Sequence, residues 1–203
     1  MNKKLTETIE KASKIPINNN RIEILNQLSS YIQNKIDQNK KIDINFICTH
    51  NSRRSHLGQV WMQTLAEHFN IKNLHAYSGG TEETAMAKPI VHTLTEQGFT
   101  INALSDNTNP VYAIKTSDNS LPIIGFSKKY DHSFNPTSSF AAIMTCSQAD
   151  EGCPFVAGSD KRIPITYEDP KLYDNTTLQD EKYQERSYQI ASEVYYILSQ
   201  IKQ

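Results

Sequence analysis

Apolar residues recur along the chain in two spacings, one typical of strands and one typical of helices. The short run IDINFIC predicts a buried strand that ends at Cys48. After a polar loop, Leu57, Trp61, Leu65 and Phe69 recur every three or four residues, which predicts an amphipathic helix. The first readable unit is therefore strand, loop, helix.

The rest of the chain continues this alternation. The pattern predicts a strand at LHAYSGG, a helix around 88–97, strands at FAAIMTC and RIPIT, and a closing helix over 183–203. Strands that alternate with helices predict an α/β fold, a three-layer, mainly parallel twisted sheet with helices on both faces. Such sheets bind ligands at the carboxyl edge of their strands. Cys48 and Cys146 both end predicted strands.

Two segments do not fit the alternation. Residues 1–41 are polar but carry apolar positions at helical spacing, which predicts a helical N-terminal extension to a domain over 42–203. A cap on the sheet edge and a dimer contact are equally consistent with it. Residues 102–139 contain only two weak strand candidates, VYAIK and LPIIGF, and we interpret them as an inserted hairpin or loop.

The composition agrees with a folded domain and excludes several classes of function. The chain has 203 residues, a formal net charge of -1 and 37% hydrophobic residues, enough to fill a core. Balanced charge argues against nucleic acid, whose phosphates require clustered Lys and Arg. No apolar run approaches the roughly 20 residues of a bilayer span, and the start MNKKLTETIEKASK lacks the apolar stretch of a secretory signal. We expect a cytoplasmic protein without a membrane partner.

The candidate chemistry lies in the loop that follows the first strand, CTHNSRRS. Successive backbone N–H groups that lead into a helix N-terminus form a positive concavity for an oxyanion, and the Arg54 guanidinium matches two anion oxygens. The same field stabilises a thiolate, so we expect Cys48 to be ionised at neutral pH. Ser55 is placed to donate to this thiolate, and Asn51 suits a loop that needs positive φ. The predicted oxyanion-binding residues are Thr49, His50, Asn51, Ser52, Arg53 and Arg54.

Simpler interpretations exist for these residues. Cys48 fits a small apolar residue that ends a buried strand, although its polar neighbours disfavour this. Arg53 fits a solvent-facing position, since adjacent helical residues point in different directions. Three cysteines are too few for a disulfide scaffold and are better explained as core, metal or catalytic thiols. Zinc is disfavoured because Cys146 and Cys153 lie seven positions apart with no histidine near them.

The motif Cys-x5-Arg-Ser after a first strand, with Asn three positions past the cysteine, resembles the phosphate-binding loop of low-molecular-weight protein tyrosine phosphatases and of thioredoxin-coupled arsenate reductases. TYEDP is similar to the family's Asp-Pro, which implies that Asp169 is the general acid, although Asp-Pro also opens ordinary turns. CSQADEGCP resembles the reductase branch, in which two further cysteines relay a disulfide. The resemblance covers roughly residues 42–203 outside the insert.

This resemblance implies an arsenate reductase. Cys48 attacks arsenate held by the loop and Arg54, Asp169 protonates the departing hydroxide, and Cys146 and Cys153 carry the resulting disulfide to thioredoxin. Two alternatives stay open. One is a phosphatase that forms a phosphocysteine at Cys48, for which Tyr130, Phe134 and Tyr167 are candidate aromatic residues at the entrance. The other is a noncatalytic oxyanion-binding protein.

Three positions depart from the family pattern. His50 stands where glycine is usual, and Arg53 where a small residue or cysteine is common. Gln59 stands where some reductases have a carboxylate that contributes to a potassium site. We therefore expect no metal and no cofactor.

Overall fold

The structure is a computed structural model that describes residues 1–152 and 155–202. Its helices are α1 (Lys3–Ser13), α2 (Asn19–Asp37), α3 (Arg54–His68), α4 (Lys88–Glu96), α5 (Ser147–Gly152) and α6 (Gln179–Ser199), with a 3-10 turn at Pro170–Tyr173. Its strands are β1 (Ile42–Cys48), β2 (Leu74–Gly80), β3 (Thr100–Ala103), β4 (Tyr112–Lys115), β5 (Ile123–Gly125), β6 (Phe140–Met144) and β7 (Ser159–Ile163).

The main sheet has four strands in the order β2-β1-β6-β7, and every neighbouring pair is parallel. β1 lies inside the sheet and is buried along its whole length, as its Ile-rich sequence predicts. The larger core cluster lies on one face and joins the sheet to α1, α2, α3, α4 and α6. A smaller cluster with α5 covers the other face. The predicted parallel sheet with helices on both faces is thus confirmed.

Local signals set several element ends. α1 begins where the Asn2 side chain accepts a hydrogen bond from the Leu5 amide. α4 has Pro89 in its first turn, where a missing N–H costs nothing. It ends before Gly98, whose φ of 103° is readily adopted only by glycine. Both ends of α4 lie within one residue of the predicted range 88–97.

The structure corrects three boundaries. The strand predicted for FAAIMTC ends at Met144, so Cys146 lies two residues past β6, immediately before α5. The strand predicted for RIPIT instead covers Ser159–Ile163. Its pairing with β6 begins at Ser159, three residues before the predicted start, and shifts in register beside Phe140. α6 begins at Gln179, four residues before the predicted start.

The segment 102–139, together with the two residues before it, forms a second, small sheet. β3, β4 and β5 pair antiparallel in sequence order, so the two weak candidates are strands and β3 is a third that the pattern misses. The four β3 residues are exposed or only partly buried, and such a strand carries little apolar signal. Within the described residues, no helix is both long enough and apolar enough to cross a membrane.

Candidate active site

The loop over residues 48–54 joins β1 to α3 at the carboxyl edge of the sheet. Its carbonyl groups are bound from outside the loop. Cys48 O accepts from the Thr81 amide at 3.1 Å, Thr49 O from the Glu82 amide at 2.8 Å, and Ser52 O from the Ala87 amide at 3.0 Å. A loop whose carbonyls are held on its outer side presents its N–H groups on the inner side, which is the arrangement that binds anions.

Asn51 fixes the shape of this loop. Its φ of 43° lies in the left-handed region that asparagine tolerates, as the sequence predicts. Its side chain donates to Ser55 Oγ at 2.8 Å and accepts from the Lys128 amide at 2.9 Å. Ser55 Oγ lies 3.1 Å from Cys48 Sγ. Because Ser55 already accepts from Asn51, its own hydrogen is free to be donated to the sulfur.

Arg54 and Asp169 meet beside the loop. Arg54 donates from Nη2 to Asp169 Oδ2 at 2.6 Å and from Nη1 to Tyr167 O at 2.9 Å. Its Nε is buried and has no hydrogen-bond partner among residues 1–152 and 155–202. Asp169 also caps the 3-10 turn through the Lys171 amide at 3.0 Å. The motif therefore brings an arginine with an unused donor next to a carboxylate.

Arg53 has a different environment from the one the sequence predicts. Its Nε donates to Tyr183 Oη at 2.6 Å and its Nη2 to Asp174 at 2.7 Å. The side chain is neither solvent-facing nor turned to the inner side of the loop. Tyr183 also donates to Asp174 at 2.5 Å, which completes a polar triangle between the loop, the chain after Asp169 and α6. An anion contact from Arg53 would have to come from its backbone.

Cys146 lies next to the loop. It is 1% exposed, and Cys48 is 4% exposed, within the same small core cluster. The Cys146 sulfur lies 3.4 Å from Thr49 Oγ1 and accepts from the Ala149 amide at 3.4 Å. Cys48 and Cys146 are both free thiols. Cys153 lies outside the described residues.

Beside Arg54 and Cys146 is a cleft of about 480 Å³ whose lining also includes Gln148, Glu168 and Asp169, but not Cys48. Of the three candidate aromatic residues only Tyr167 contributes to it. Phe134 lines another groove with Tyr77, and Tyr130 packs against the small core cluster that contains Cys48. The cleft wall is therefore largely polar.

The two histidines near the loop differ in burial. His50 is half-exposed and faces Glu82 at 3.5 Å, so its side chain points away from the loop interior. His56 is fully buried, with Nδ1 3.3 Å from Ser78 Oγ. Burial, and secondarily the charge of Lys128, lower the pKa of His56 to about 3. His56 is therefore neutral at physiological pH.

Several residues that shape the site gave no local signal. Ser127 Oγ donates to His50 O at 3.0 Å, and Lys128 is the backbone partner of Asn51. Burial lowers the pKa of Lys128 to about 7. Gly80 packs so closely on the loop that an added Cβ would lie 2.7 Å from Thr49 O and from Asn51 N. The Gly79-Gly80 pair at the end of the predicted strand LHAYSGG is the one signal in the sequence that could have indicated this close contact.

Gln59, which departs from the family pattern at the position of a potassium-binding carboxylate, binds protein groups. Its amide donates to Ile124 O at 3.1 Å and accepts from Ser78 Oγ at 2.7 Å. Among the described residues, no group of three or more His, Cys, Asp or Glu side chains is arranged to hold a metal ion.

Comparison with solved structures identifies the fold. A low-molecular-weight phosphotyrosine phosphatase from Vibrio cholerae O395 matches with a TM-score of 0.51 and 12% identity, over 78% of this chain and 94% of that chain. The corresponding enzyme from T. tengcongensis matches with a TM-score of 0.51 and 15% identity, over 79% and 100%. An arsenate reductase in its phosphate-binding state has a TM-score of 0.49 and 17% identity, over 79% and 99%. No family model and no curated protein sequence matches the chain.

The chain therefore has the fold of the low-molecular-weight protein tyrosine phosphatases, as its motifs predict. At these identities the likeness establishes the fold and leaves the reaction open.

Proposed function

We propose that this chain is an arsenate reductase that acts through Cys48 and a disulfide relay. The observation that supports this most directly is the position of Cys146, whose sulfur lies 3.4 Å from the hydroxyl of Thr49, the residue after Cys48. A second thiol beside the anion loop is needed for reduction and has no role in hydrolysis. The unused donor at Arg54 Nε supports oxyanion binding, since an anion would satisfy it.

The proposed reaction has three steps within the chain and a fourth that restores its thiols. The Cys48 thiolate attacks arsenic, and the displaced hydroxide leaves as water with a proton from Asp169. The Cys146 thiolate then attacks the Cys48 sulfur, the sulfur–arsenic bond breaks, and its electron pair reduces arsenic to arsenite. Cys153 attacks Cys146 and frees Cys48. Thioredoxin, the proposed cytoplasmic reductant, reduces the Cys146–Cys153 disulfide.

Phosphomonoester hydrolysis is the second candidate, because the groups that it needs, Cys48, Arg54 and Asp169, are the ones that the reductase reaction also uses. The carboxyl group of Asp169 lies 2.6 Å from Arg54, where its protonated form could donate to a leaving alcohol and the resulting carboxylate could then activate water. This reaction needs Cys48 alone among the cysteines. The largely polar wall of the cleft, in which Tyr167 is the aromatic residue among the lining residues, does not enclose a phenyl ring between two aromatic side chains.

The deciding experiment maps disulfides by intact-protein mass spectrometry before and after exposure to arsenate. We expect a Cys48–Cys146 disulfide in Cys153→Ser, a Cys146–Cys153 disulfide in the wild type, and neither in Cys48→Ser. Cys153→Ser should complete one turnover but stop cycling with thioredoxin. Unchanged cycling in this variant would exclude the relay.

The same variants test hydrolysis. Steady release of an aryl alcohol by a Cys146→Ser, Cys153→Ser double variant, without arsenate-dependent disulfides in the wild type, would assign the chain to the phosphatases. Loss of both activities in Cys48→Ser is expected under either reaction. Retained turnover there would refute the nucleophile.

A further inference from the structure

The N-terminal extension contacts the segment that carries Asp169. Arg21, in the first turn of α2, donates from Nη1 to Thr166 O at 3.0 Å. Its guanidinium carbon lies 5.0 Å from the centre of the Tyr167 ring, within the range of a cation–π contact. One side chain from residues 1–41 therefore binds two consecutive residues just before the candidate acid.

Arg21 is itself held by α6. Its Nε and Nη2 donate to the two carboxylate oxygens of Glu193 at 2.7 and 2.6 Å. The Glu193 side chain is 4% exposed and that of Arg21 21% exposed. A buried, two-pronged pair of this kind fixes the orientation of the guanidinium. The remaining Nη1 is thus directed at Thr166 from a rigid base.

The contact continues directly into the candidate site. The Tyr167 amide donates to Thr145 O at 3.1 Å, and Tyr167 O accepts from Arg54 at 2.9 Å. Arg54 in turn holds Asp169 at 2.6 Å. The segment that leads to Asp169 is therefore clamped by α2 at Thr166, by the chain after β6 at Tyr167, and by the anion loop at Asp169.

We propose that Arg21 is a positioning residue for the acid step, and that the N-terminal extension serves to hold the segment 166–169 against the anion loop. The catalytic part of this inference rests on the proposed function. Displacement of the segment would move the Asp169 carboxyl from the leaving group while leaving Cys48 and its loop in place. Turnover should then fall while oxyanion affinity is retained.

The test compares Arg21→Met, Glu193→Gln with the wild type. The double variant is chosen because Arg21→Met alone would leave the buried Glu193 carboxylate without its cation, although Gln189 would still donate to it, and would risk unfolding. Lys3→Met is the matched control, since Lys3 is an exposed cation of the same extension and its ion-pair partner among the described residues is Glu7. Three quantities are measured on the full chain: amide hydrogen exchange by peptide, the single-turnover rate with arsenate, and the apparent Kd for arsenate from its concentration dependence.

We expect faster exchange over 165–170 but not over 49–54 in the double variant. The single-turnover rate should fall at least about tenfold, a fraction of what a general acid contributes, while the apparent Kd stays within about twofold. Lys3→Met should match the wild type in all three. Unchanged exchange over 165–170, or a rate and Kd that worsen together, would overturn the proposal.

Loss of the Arg21 contact and absence of reductase activity give different results. If the wild type forms no disulfide with arsenate but hydrolyses aryl phosphates, we expect the double variant to have a lower kcat and an unchanged KM for the aryl phosphate. If it does neither, the proposed function fails, and the exchange data alone decide whether Arg21 holds the segment.

Discussion

A single side chain, that of Asn51, connects the anion loop to two other parts of the molecule. It donates to Ser55 at the start of α3 and accepts from the Lys128 amide in the segment after β5. It does so from a left-handed backbone conformation. Both hydrogen bonds are buried, so water cannot freely replace Asn51 as a partner, and the loss of either bond would lower the stability of the fold.

Asn51→Ala is therefore expected to lower the free energy of unfolding by about 2 to 3 kcal/mol, because it removes two buried hydrogen bonds and leaves the Lys128 amide unpaired. Urea denaturation measures the loss. The variant should also lower turnover, since the hydroxyl of Ser55 loses the donor that orients it.

Asn39→Ala is the matched control for Asn51→Ala. Asn39 has a φ of 51° but is exposed, so its substitution reports the backbone cost alone, about 1 kcal/mol. Equal losses in the two variants would show that the side-chain hydrogen bonds of Asn51 contribute nothing.

Among the elements, the end of β2 supports the loop most closely. Gly80 donates to Lys128 O and accepts from the Tyr130 amide, both at 2.9 Å. It also lies against the backbone of the loop, with no room for a side chain. A strand end packed on backbone cannot adjust by a change of rotamer, so the loop itself must move if Gly80 is enlarged.

Gly80→Ala is thus expected to reduce turnover by about a hundredfold, the scale of a 1 Å displacement in an active site. Single-turnover kinetics with arsenate or an aryl phosphate measure it. In Gly152→Ala an added Cβ meets no heavy atom of the described residues within 4 Å, so its fold and first step should be unaffected. Wild-type turnover in Gly80→Ala would contradict the close packing.

At the scale of the whole molecule, two buried bases make stability depend on pH. The pKa of Lys128 is lowered from 10.5 to about 7 and that of His56 from 6.5 to about 3, both chiefly by burial. In each interval the unfolded chain binds more protons than the folded one. The free energy of unfolding therefore rises with pH across both intervals.

The wild type is accordingly expected to be more stable at about pH 9 than at about pH 7.5, with a slope of up to about 1.4 kcal/mol per pH unit from Lys128. Lys128→Met should lose this rise, because the amine whose pKa differs between the folded and the unfolded chain is gone. Lys129→Met, at the exposed neighbouring position, should keep it. Urea denaturation at the two pH values measures each slope, and a rise that persists in Lys128→Met would assign it to another group.

The sequence by itself determined the parallel sheet and the loop between β1 and α3 that begins at Cys48 and ends at Arg54. These features depend on spacings within a few residues, where strand and helix periods and loop geometry act directly. The left-handed Asn51 and the stop of α4 before Gly98 were predictable for the same reason. The antiparallel insert was visible only in outline, because its strands are short and partly exposed.

Only the tertiary structure decided which distant residues support the loop and the acid. Arg21 contacts a segment 145 residues away, and Lys128 pairs with Asn51 across 77 residues. The side chain of Arg53 joins Asp174 and Tyr183, two contacts that the sequence did not predict. No local pattern encodes such contacts, because each depends on where the packing of the core brings two separate elements together.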